Sequence, residues 1–355
     1  MAYTTIKKPS DYFNTKLYTG TGASASITGV GFQPDWVWIK SRTSADWHIL
    51  TDAVRGATTE IYTNATNGDN TNVNQLTSFD SDGFSLGGAN DTGRSGENFV
   101  AWNWLADNTS GSSNTDGSIT STVSANTTSG FSIVSYTGSG TSSDTVGHGL
   151  GVAPKVVIVK DRSSGTNQWR VRHESLSSNY NLFLNGTDVA YNMATATNDG
   201  GIGDLDNANT FDFVSGISNT NAVNTSGNNY IAYCFAEKKG FSKFGSYTGN
   251  GSASDGTFVY TGFKPAFVII KRYNASGHDW ILIDNKRVGY NADNNTLLPN
   301  SSSAEDTGNR IDILSNGFKN YNANGSENEN GGTYIYMAFA ESPLVGTNNT
   351  PATAR

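Results

Sequence analysis

The chain has 355 residues, of which 35% are hydrophobic and 15% are charged, and its formal net charge is −8. This acidic balance excludes sequence-independent attraction to nucleic acid. Residues 1–14 lack the apolar core of a secretion signal, and no apolar run approaches the length of about 18 residues that spans a bilayer. We therefore expect neither signal-dependent secretion nor membrane insertion, and the single cysteine, Cys234, excludes an intramolecular disulfide framework.

After a polar lead-in, the first strongly apolar element lies at residues 31–40, with the sequence Gly-Phe-Gln-Pro-Asp-Trp-Val-Trp-Ile-Lys. Pro34 cannot donate to a strand ladder, so it is expected at the mouth of a strand. The short aromatic and β-branched run that follows has the length of one buried strand. We call this element the organising strand.

The same pattern returns at residues 151–160 and 262–271. A Tyr-Thr-Gly turn precedes each copy, and a strand rich in aromatic residues closes each unit at 99–106, 230–237 and 334–341. Three markers in a fixed order predict three tandem repeats. The residues that anchor them are predicted to be Pro34, Pro154, Pro265, Trp102, Tyr233 and Met337.

Glycine, serine, threonine and asparagine are abundant, which favours short strands joined by turns. We predict an all-β chain of three tandem antiparallel β-sandwiches of the jelly-roll type. The boundaries are repeat one with its lead-in at 1–108, the linker and repeat two at 109–240, repeat three at 241–345, and a polar tail at 346–355. The linker is placed at residues 107–117, and a linear or a pseudo-threefold arrangement of the repeats stays open.

One tryptophan with a polar neighbour follows each organising strand, at Trp47, Trp169 and Trp280. An exposed indole beside an acid or amide can stack on a sugar, which makes these three the candidate ligand-binding residues. The competing interpretation is a core anchor, and triplication favours it, because a scaffold must repeat its core in every copy.

Two acids each precede an arginine by three residues, in the pairs Asp52 with Arg55 and Asp284 with Arg287. A carboxylate and a guanidinium at that spacing can form a charge-assisted pair that fixes a turn. We interpret both pairs as structural.

No cofactor is required by any motif, and calcium is the one open alternative. Asp199, Asp204 and Asp206 concentrate oxygen ligands in one loop, although their spacing does not match an EF-hand. Asp80 and Asp82 are the closest pair of carboxylates for glycoside hydrolysis, but Asp-Ser-Asp-Gly is ordinary turn chemistry and is not repeated. We predict no catalytic residue and no enzymatic activity.

The chain resembles a family of tandem-repeat virion proteins of marine tailed phages of the cyanophage type. The segments that carry the resemblance are residues 1–6, 11–14, 31–40, 79–84, 99–105, 148–155 and 332–341. The resemblance covers almost the whole chain and implies concanavalin-like sandwiches in an exposed virion component. It brings no catalytic residue with it.

Three functional hypotheses follow. The first is a non-enzymatic structural protein of a bacteriophage virion, as a tail fibre or receptor-binding protein or as a capsid decoration, made in the host cytoplasm. Its partners would be other virion proteins and a host receptor, and a homo-oligomer such as a trimer is expected by analogy. The second is a lectin-like adhesin for host surface glycans, and the third and weaker alternative is a glycan-degrading enzyme.

Overall fold

The computed structural model describes residues 4–197, 199–216, 222–287, 291, 294–308 and 310–345. Regular structure in these ranges is almost entirely β-strand, and the strands pair antiparallel. The short helical turns are Pro9–Asp11, Asn90–Gly93 and Met193–Thr195. The predicted all-β fold is confirmed, whereas its jelly-roll and concanavalin-like character stays a prediction. The polar tail at 346–355 and the first three residues of the lead-in lie outside the described residues.

The strands are numbered in chain order. Repeat one contains β1 (Phe13–Thr19), β2 (Ala25–Thr28), β3 (Trp36–Ser41), β4 (Ile49–Asp52), β5 (Thr59–Tyr62), β6 (Asn70–Thr71), β7 (Leu76–Asp80), β8 (Gly83–Leu86) and β9 (Asn98–Trp104). Repeat two contains β10 (Ser112–Asn114), β11 (Ser121–Asn126), β12 (Phe131–Thr137), β13 (Thr145–Gly147), β14 (Val156–Asp161), β15 (Arg170–His173), β16 (Tyr180–Phe183), β17 (Tyr191–Asn192), β18 (Gly201–Ile202), β19 (Thr210–Val214) and β20 (Asn229–Phe235). Repeat three contains β21 (Ser242–Thr248), β22 (Phe258–Tyr260), β23 (Phe263–Arg272), β24 (Ile281–Asp284), β25 (Ile311–Leu314), β26 (Gly317–Asn320) and β27 (Thr333–Pro343).

Each repeat builds one large sheet and one three-stranded sheet. The large sheets have the orders β1-β9-β3-β4-β5-β6, β10-β11-β12-β20-β14-β15-β16-β17 and β21-β27-β23-β24. In every copy the closing strand lies between the strand that opens the repeat and the organising strand. The three sets are β1-β9-β3, β12-β20-β14 and β21-β27-β23. The small sheets have the orders β2-β8-β7, β13-β19-β18 and β22-β26-β25.

The predicted anchors occupy the same register position in each large sheet. Trp102 pairs with Trp38 in repeat one, and the equivalent partners are Ile158 for Tyr233 and Ile269 for Met337. Pro34 and Pro154 are buried just before their strands. Pro265 differs, because β23 begins at Phe263 and a β-bulge accommodates the proline within the strand.

The closing strand buries both of its faces, as its apolar alternation predicts. In β9, Val100, Trp102 and Trp104 enter one core, whereas Phe99 and Ala101 enter another. The large sheets of all three repeats contribute to the first of these cores, which we call the shared core. The second core lies between the two sheets of a single repeat, and repeats two and three have their own equivalents.

Aromatic contacts close the three repeats around the shared core. Ring centroids lie 5.0 Å apart between Trp36 and Tyr233, 5.8 Å apart between Phe235 and Phe339, and 5.4 Å apart between Trp104 and Phe339. These contacts join repeat one to two, two to three and one to three. The repeats therefore pack around a common centre and do not form a line, which settles the alternative that repeat spacing left open.

The predicted linker at 107–117 is part of the second sheet. Ser112–Asn114 forms β10, which pairs with β11. Asp35 fixes the start of this segment, since its Oδ2 accepts the backbone N–H groups of Ala106 at 2.7 Å and Asn108 at 3.0 Å. Part of the predicted linker therefore forms a strand, because polar composition does not prevent a strand from pairing through its backbone.

Candidate functional site

The lysine that ends each organising strand is buried. Lys40, Lys160 and Lys271 are all 0% exposed, and burial lowers the pKa of each to about 8. Their ammonium groups donate to backbone carbonyls, as when Lys40 Nζ reaches the carbonyl oxygen of Ser41 at 2.7 Å and that of Ser44 at 2.9 Å. These lysines hold the loop after the strand, and such contacts leave no free amine for chemistry.

The boundaries between neighbouring repeats, which we call seams, share a backbone hydrogen bond. In each seam a residue of one repeat donates its N–H to a carbonyl just after the organising strand of the next. The bonds are Asp69 to Arg162 at 2.9 Å in seam one–two, Ala190 to Tyr273 at 3.0 Å in seam two–three, and Glu305 to Arg42 at 2.9 Å in seam one–three. Because this backbone hydrogen bond recurs in all three seams, it identifies equivalent positions without reference to side chains.

Seam one–two carries a buried charged network. The Arg55 guanidinium donates to Asp52 at 2.5 Å and to Asp69 at 3.1 Å, and the side chains of Arg55 and Asp52 are 0% exposed. From repeat two, Arg162 donates to Asp69 at 2.7 Å and the Tyr233 hydroxyl donates to Asp52 at 2.8 Å. The predicted pair of Asp52 with Arg55 is therefore the centre of a contact between repeats.

Seam one–three repeats this network at equivalent positions. Arg287 donates to Asp284 at 2.7 Å and to Glu305 at 3.2 Å, while Arg42 donates to Glu305 at 2.9 Å. The Trp102 indole donates to Asp284 at 2.9 Å, in the place of the Tyr233 hydroxyl. Burial alone would raise the pKa of Asp284, but the Arg287 charge and these hydrogen bonds hold it below its usual value.

Seam two–three has no such charges at the five equivalent positions, which are His173, Leu176, Ala190, Tyr273 and Met337. His173 Nε2 lies 3.2 Å from the Tyr336 carbonyl oxygen across the seam, and its Nδ1 accepts the Ser175 N–H at 3.1 Å. Burial lowers the pKa of His173 to about 4, so the neutral ring is the form that the fold accommodates. The five replacements occur together, as expected when removal of one member would leave the others buried and unpaired.

Two of the three candidate ligand-binding tryptophans are core residues. Trp169 is 0% exposed and Trp280 is 1% exposed. The indole of Trp169 donates to the Tyr62 carbonyl of repeat one at 2.9 Å, and that of Trp280 donates to the Phe183 carbonyl of repeat two at 2.9 Å. Their ring faces are therefore unavailable to a ligand, which corrects the sugar-stacking interpretation for both.

Trp47 is not their equivalent. Ile49, Arg170 and Ile281 hold the same register position, so the residue before each is His48, Trp169 or Trp280. Trp47 lies one residue earlier and is 43% exposed, with its ring 5.2 Å from that of Tyr62. The sequence pattern therefore aligned Trp47 with Trp169 and Trp280 although their positions differ by one residue.

An asparagine caps the strand in every repeat. Its side-chain oxygen accepts the backbone N–H of the residue in the His48 position. The pairs are Asn64 with His48 at 3.0 Å, Asn185 with Trp169 at 2.9 Å, and Asn300 with Trp280 at 2.9 Å. Spacings of 121 (185 − 64) and 115 (300 − 185) residues match the repeat and were a detectable signal.

The structure gives the three candidate calcium ligands different surroundings. Asp199 pairs with Arg170, Asp204 accepts from Arg172 at 2.8 Å, and Asp206 is exposed. Within the described ranges, no group of three or more His, Cys, Asp or Glu residues could hold a metal ion.

Asp80 and Asp82, the carboxylates considered for hydrolysis, fasten turns. Asp82 accepts the N–H groups of Gly29 at 3.0 Å and Gly31 at 2.7 Å, and these bonds lower its pKa. Asp80 accepts hydroxyl hydrogen bonds from two serines. The pKa of Asp82 is thus shifted away from the raised value that a general acid needs.

A polar cleft of about 580 Å³ lies in repeat two, at the border with repeat three. Its lining includes Gln168, Arg170, Phe183, Asp188 and Tyr191. The Arg170 guanidinium lies 4.6 Å from the centre of the Phe183 ring, and the Tyr191 side chain is 46% exposed. We call this depression the repeat-two cleft.

These features define a class of protein: a single-chain β-sheet assembly whose three repeats close around one shared core. The chain belongs to the family of a domain of unknown function, DUF7483, whose model matches residues 8–343. The match runs through all three repeats and all three seams. No curated protein and no solved structure matches the chain. None of the described helices has the length and apolarity needed to cross a bilayer.

Proposed function

We propose that this protein is a non-enzymatic structural component on the outer surface of a bacteriophage particle, as a tail-fibre, receptor-binding or capsid-decoration protein. One observation carries the proposal: the polar residues that the repeats have in common bond to other parts of the same chain, mainly across or beside the seams. The buried lysines and the capping asparagines, which occur in all three repeats, bond to the backbone, and the charged networks join the repeats at two of the three seams.

A chain whose repeated residues maintain a scaffold has its loops free to vary, because those loops do not hold the core together. This division suits an exposed particle component, which must be rigid and must present contact surfaces. The resemblance to virion proteins of marine tailed phages supports the same conclusion. Other virion proteins and a host receptor are the partners that this function requires, and copies of the chain acting as a trimer would fit it.

The lectin-like and hydrolytic alternatives receive less support from the residues first considered for them. Two of the three tryptophans are buried, and Asp80 and Asp82 fasten turns. A glycan-binding role would therefore have to depend on other residues.

Location on the particle tests the proposal. An epitope tag inserted in the exposed loop beside Val73, which is 66% exposed, would be detected by immunogold electron microscopy of purified particles. Gold on intact particles, at the tail or on the capsid, is the expected result. Labelling that appears only after particles are disrupted, or absence of the chain from particles by mass spectrometry, would contradict it. A tag added beside buried Ile61 is unsuitable, since it would disrupt the shared core.

A further inference from the structure

The repeat-two cleft is open because repeat two lacks an aromatic residue that repeat one has. Ile49 pairs with Tyr62, and Arg170 pairs with Phe183, so Gln168 holds the position of Trp47. In repeat one the Trp47 ring packs 5.2 Å from Tyr62 and covers that place. In repeat two the shorter Gln168 amide lines the cleft, and Phe183 is 8% exposed beneath the Arg170 guanidinium.

A second difference places an aromatic ring at the rim of the cleft. Tyr191 pairs with Asn181 as Asn70 pairs with Glu60, so the two residues are equivalent. The Asn70 amide donates to Glu60 at 2.7 Å. The Tyr191 side chain instead stands 46% exposed and forms no hydrogen bond with the described residues.

The polar groups of the cleft also differ from those of the seams. The side chains of Gln168 and Asp188 line the cleft and make no hydrogen bond within the described part of the chain. At the floor, Arg170 is 3% exposed and is held by Asp199 and by the Gly200 carbonyl at 3.2 Å. The cleft thus combines a fixed floor with unbonded polar groups and one exposed ring.

We propose that the repeat-two cleft binds an uncharged saccharide. The face of Tyr191 can stack on sugar C–H groups, while the Gln168 amide and the Asp188 carboxylate can bond to hydroxyls. The cleft volume lies within the range of about 300–1,000 Å³ typical of small-molecule sites. Arg170 is neutralised by Asp199, and Asp188 interacts electrostatically with the buried Lys271, so the described lining offers no unpaired cation to an acidic sugar.

Binding of purified full-length protein to immobilised oligosaccharides tests the site. The panel contains neutral hexose, N-acetylhexosamine and sialylated chains, and the strongest binder is then titrated by calorimetry. Wild type should bind an uncharged chain. Tyr191→Ala removes the stacking ring, and Gln168→Trp fills the cleft with the residue that repeat one carries, so each should weaken binding at least tenfold, about 1.4 kcal/mol.

Tyr260→Ala is the matched control, because Tyr260 is a 54% exposed aromatic residue on repeat three, outside the cleft, and its loss should leave binding unchanged. Circular dichroism melting establishes that every variant is folded. Failure of wild type to bind, preference for sialylated chains, or unchanged binding in both cleft variants would overturn the proposal. None of these results bears on the gold-labelling test, so the particle location and the saccharide site can fail separately.

Discussion

The indole Nε1 of Trp102 in repeat one donates to the Asp284 carboxylate of repeat three at 2.9 Å. At the equivalent place, the Tyr233 hydroxyl of repeat two donates to Asp52 of repeat one. The third position holds Met337, which has no donor, and the equivalent position of the acid holds His173. The two seams with a buried aspartate also have a side-chain donor for it, and the seam without the aspartate has no such donor.

Removal of the indole donor tests this pairing. Trp102→Phe should lower the free energy of unfolding by roughly 1–3 kcal/mol, because the buried Asp284 loses one partner. Met337→Leu changes the equivalent side chain of seam two–three without removing a polar bond and should cost under about 1.5 kcal/mol. Urea denaturation measures both, and equal losses would contradict the assigned role.

The charged network of seam one–two should fail when one member is removed. Arg55→Leu leaves the buried Asp52 without its cation, whereas Asp69 keeps Arg162, and the expected loss is about 3–5 kcal/mol. The measurement is the shift in the denaturation midpoint.

Seam two–three supplies the control for that variant. Replacing the whole network by the residues of seam two–three should recover a large part of the stability, because no charge is then left unpaired. The replacements are Asp52→His, Arg55→Leu, Asp69→Ala, Arg162→Tyr and Tyr233→Met. If the variant with all five replacements were less stable than Arg55→Leu alone, the residues of seam two–three could not substitute for the network of seam one–two, and the prediction would be contradicted.

Acid should weaken seam two–three through His173. Its pKa falls from 6.5 to about 4 on folding, so between these values the unfolded chain binds more protons than the folded one. The contribution of His173 to the free energy of unfolding is therefore fully present above pH 6.5. It is lost as the pH falls towards 4, by roughly 3 kcal/mol. His173→Gln removes the titration, and a wild-type loss no larger than that of the variant would refute the prediction.

Ionisation of Asp35 should lower the stability of the protein as the pH rises. Burial raises its pKa from 3.8 to about 6, although the N–H groups of Ala106 and Asn108 partly offset this. Its contribution is fully present below pH 3.8 and is lost as the pH rises through 6. Asp35→Asn should thus gain stability relative to wild type by roughly 2 kcal/mol between pH 4 and 8. If the melting temperatures of wild type and Asp35→Asn changed in parallel with pH, this prediction would be contradicted.

The strands were predictable because local chemistry determines them. Pro34 and Pro154 mark strand mouths, and the alternation of Val100, Trp102 and Trp104 shows which face each side chain takes. The shared core was not predictable, because repeat spacing is the same for a line and for a closed ring. It depends on contacts between residues more than a hundred positions apart, such as Trp36 and Tyr233.

The candidate site was harder to predict, because it depends on register. A one-residue offset separates exposed Trp47 from buried Trp169, and no aromatic pattern reveals which of two neighbours faces the core. The exposed ring of Tyr191 lies in the two-residue strand β17, which carries no motif, and only the strand pairing places it in the same cleft as Gln168. The asparagine caps at Asn64 and Asn185 had a repeat signal that abundant asparagine obscured.

Calorimetric unfolding of the full chain tests most directly whether the three repeats form one closed unit. Because the repeats share a core, we predict a single transition whose calorimetric and van't Hoff enthalpies agree, with about 0.7 kcal/mol per residue. Two or three separable transitions, with Arg55→Leu and Trp102→Phe each shifting only one of them, would contradict the shared core.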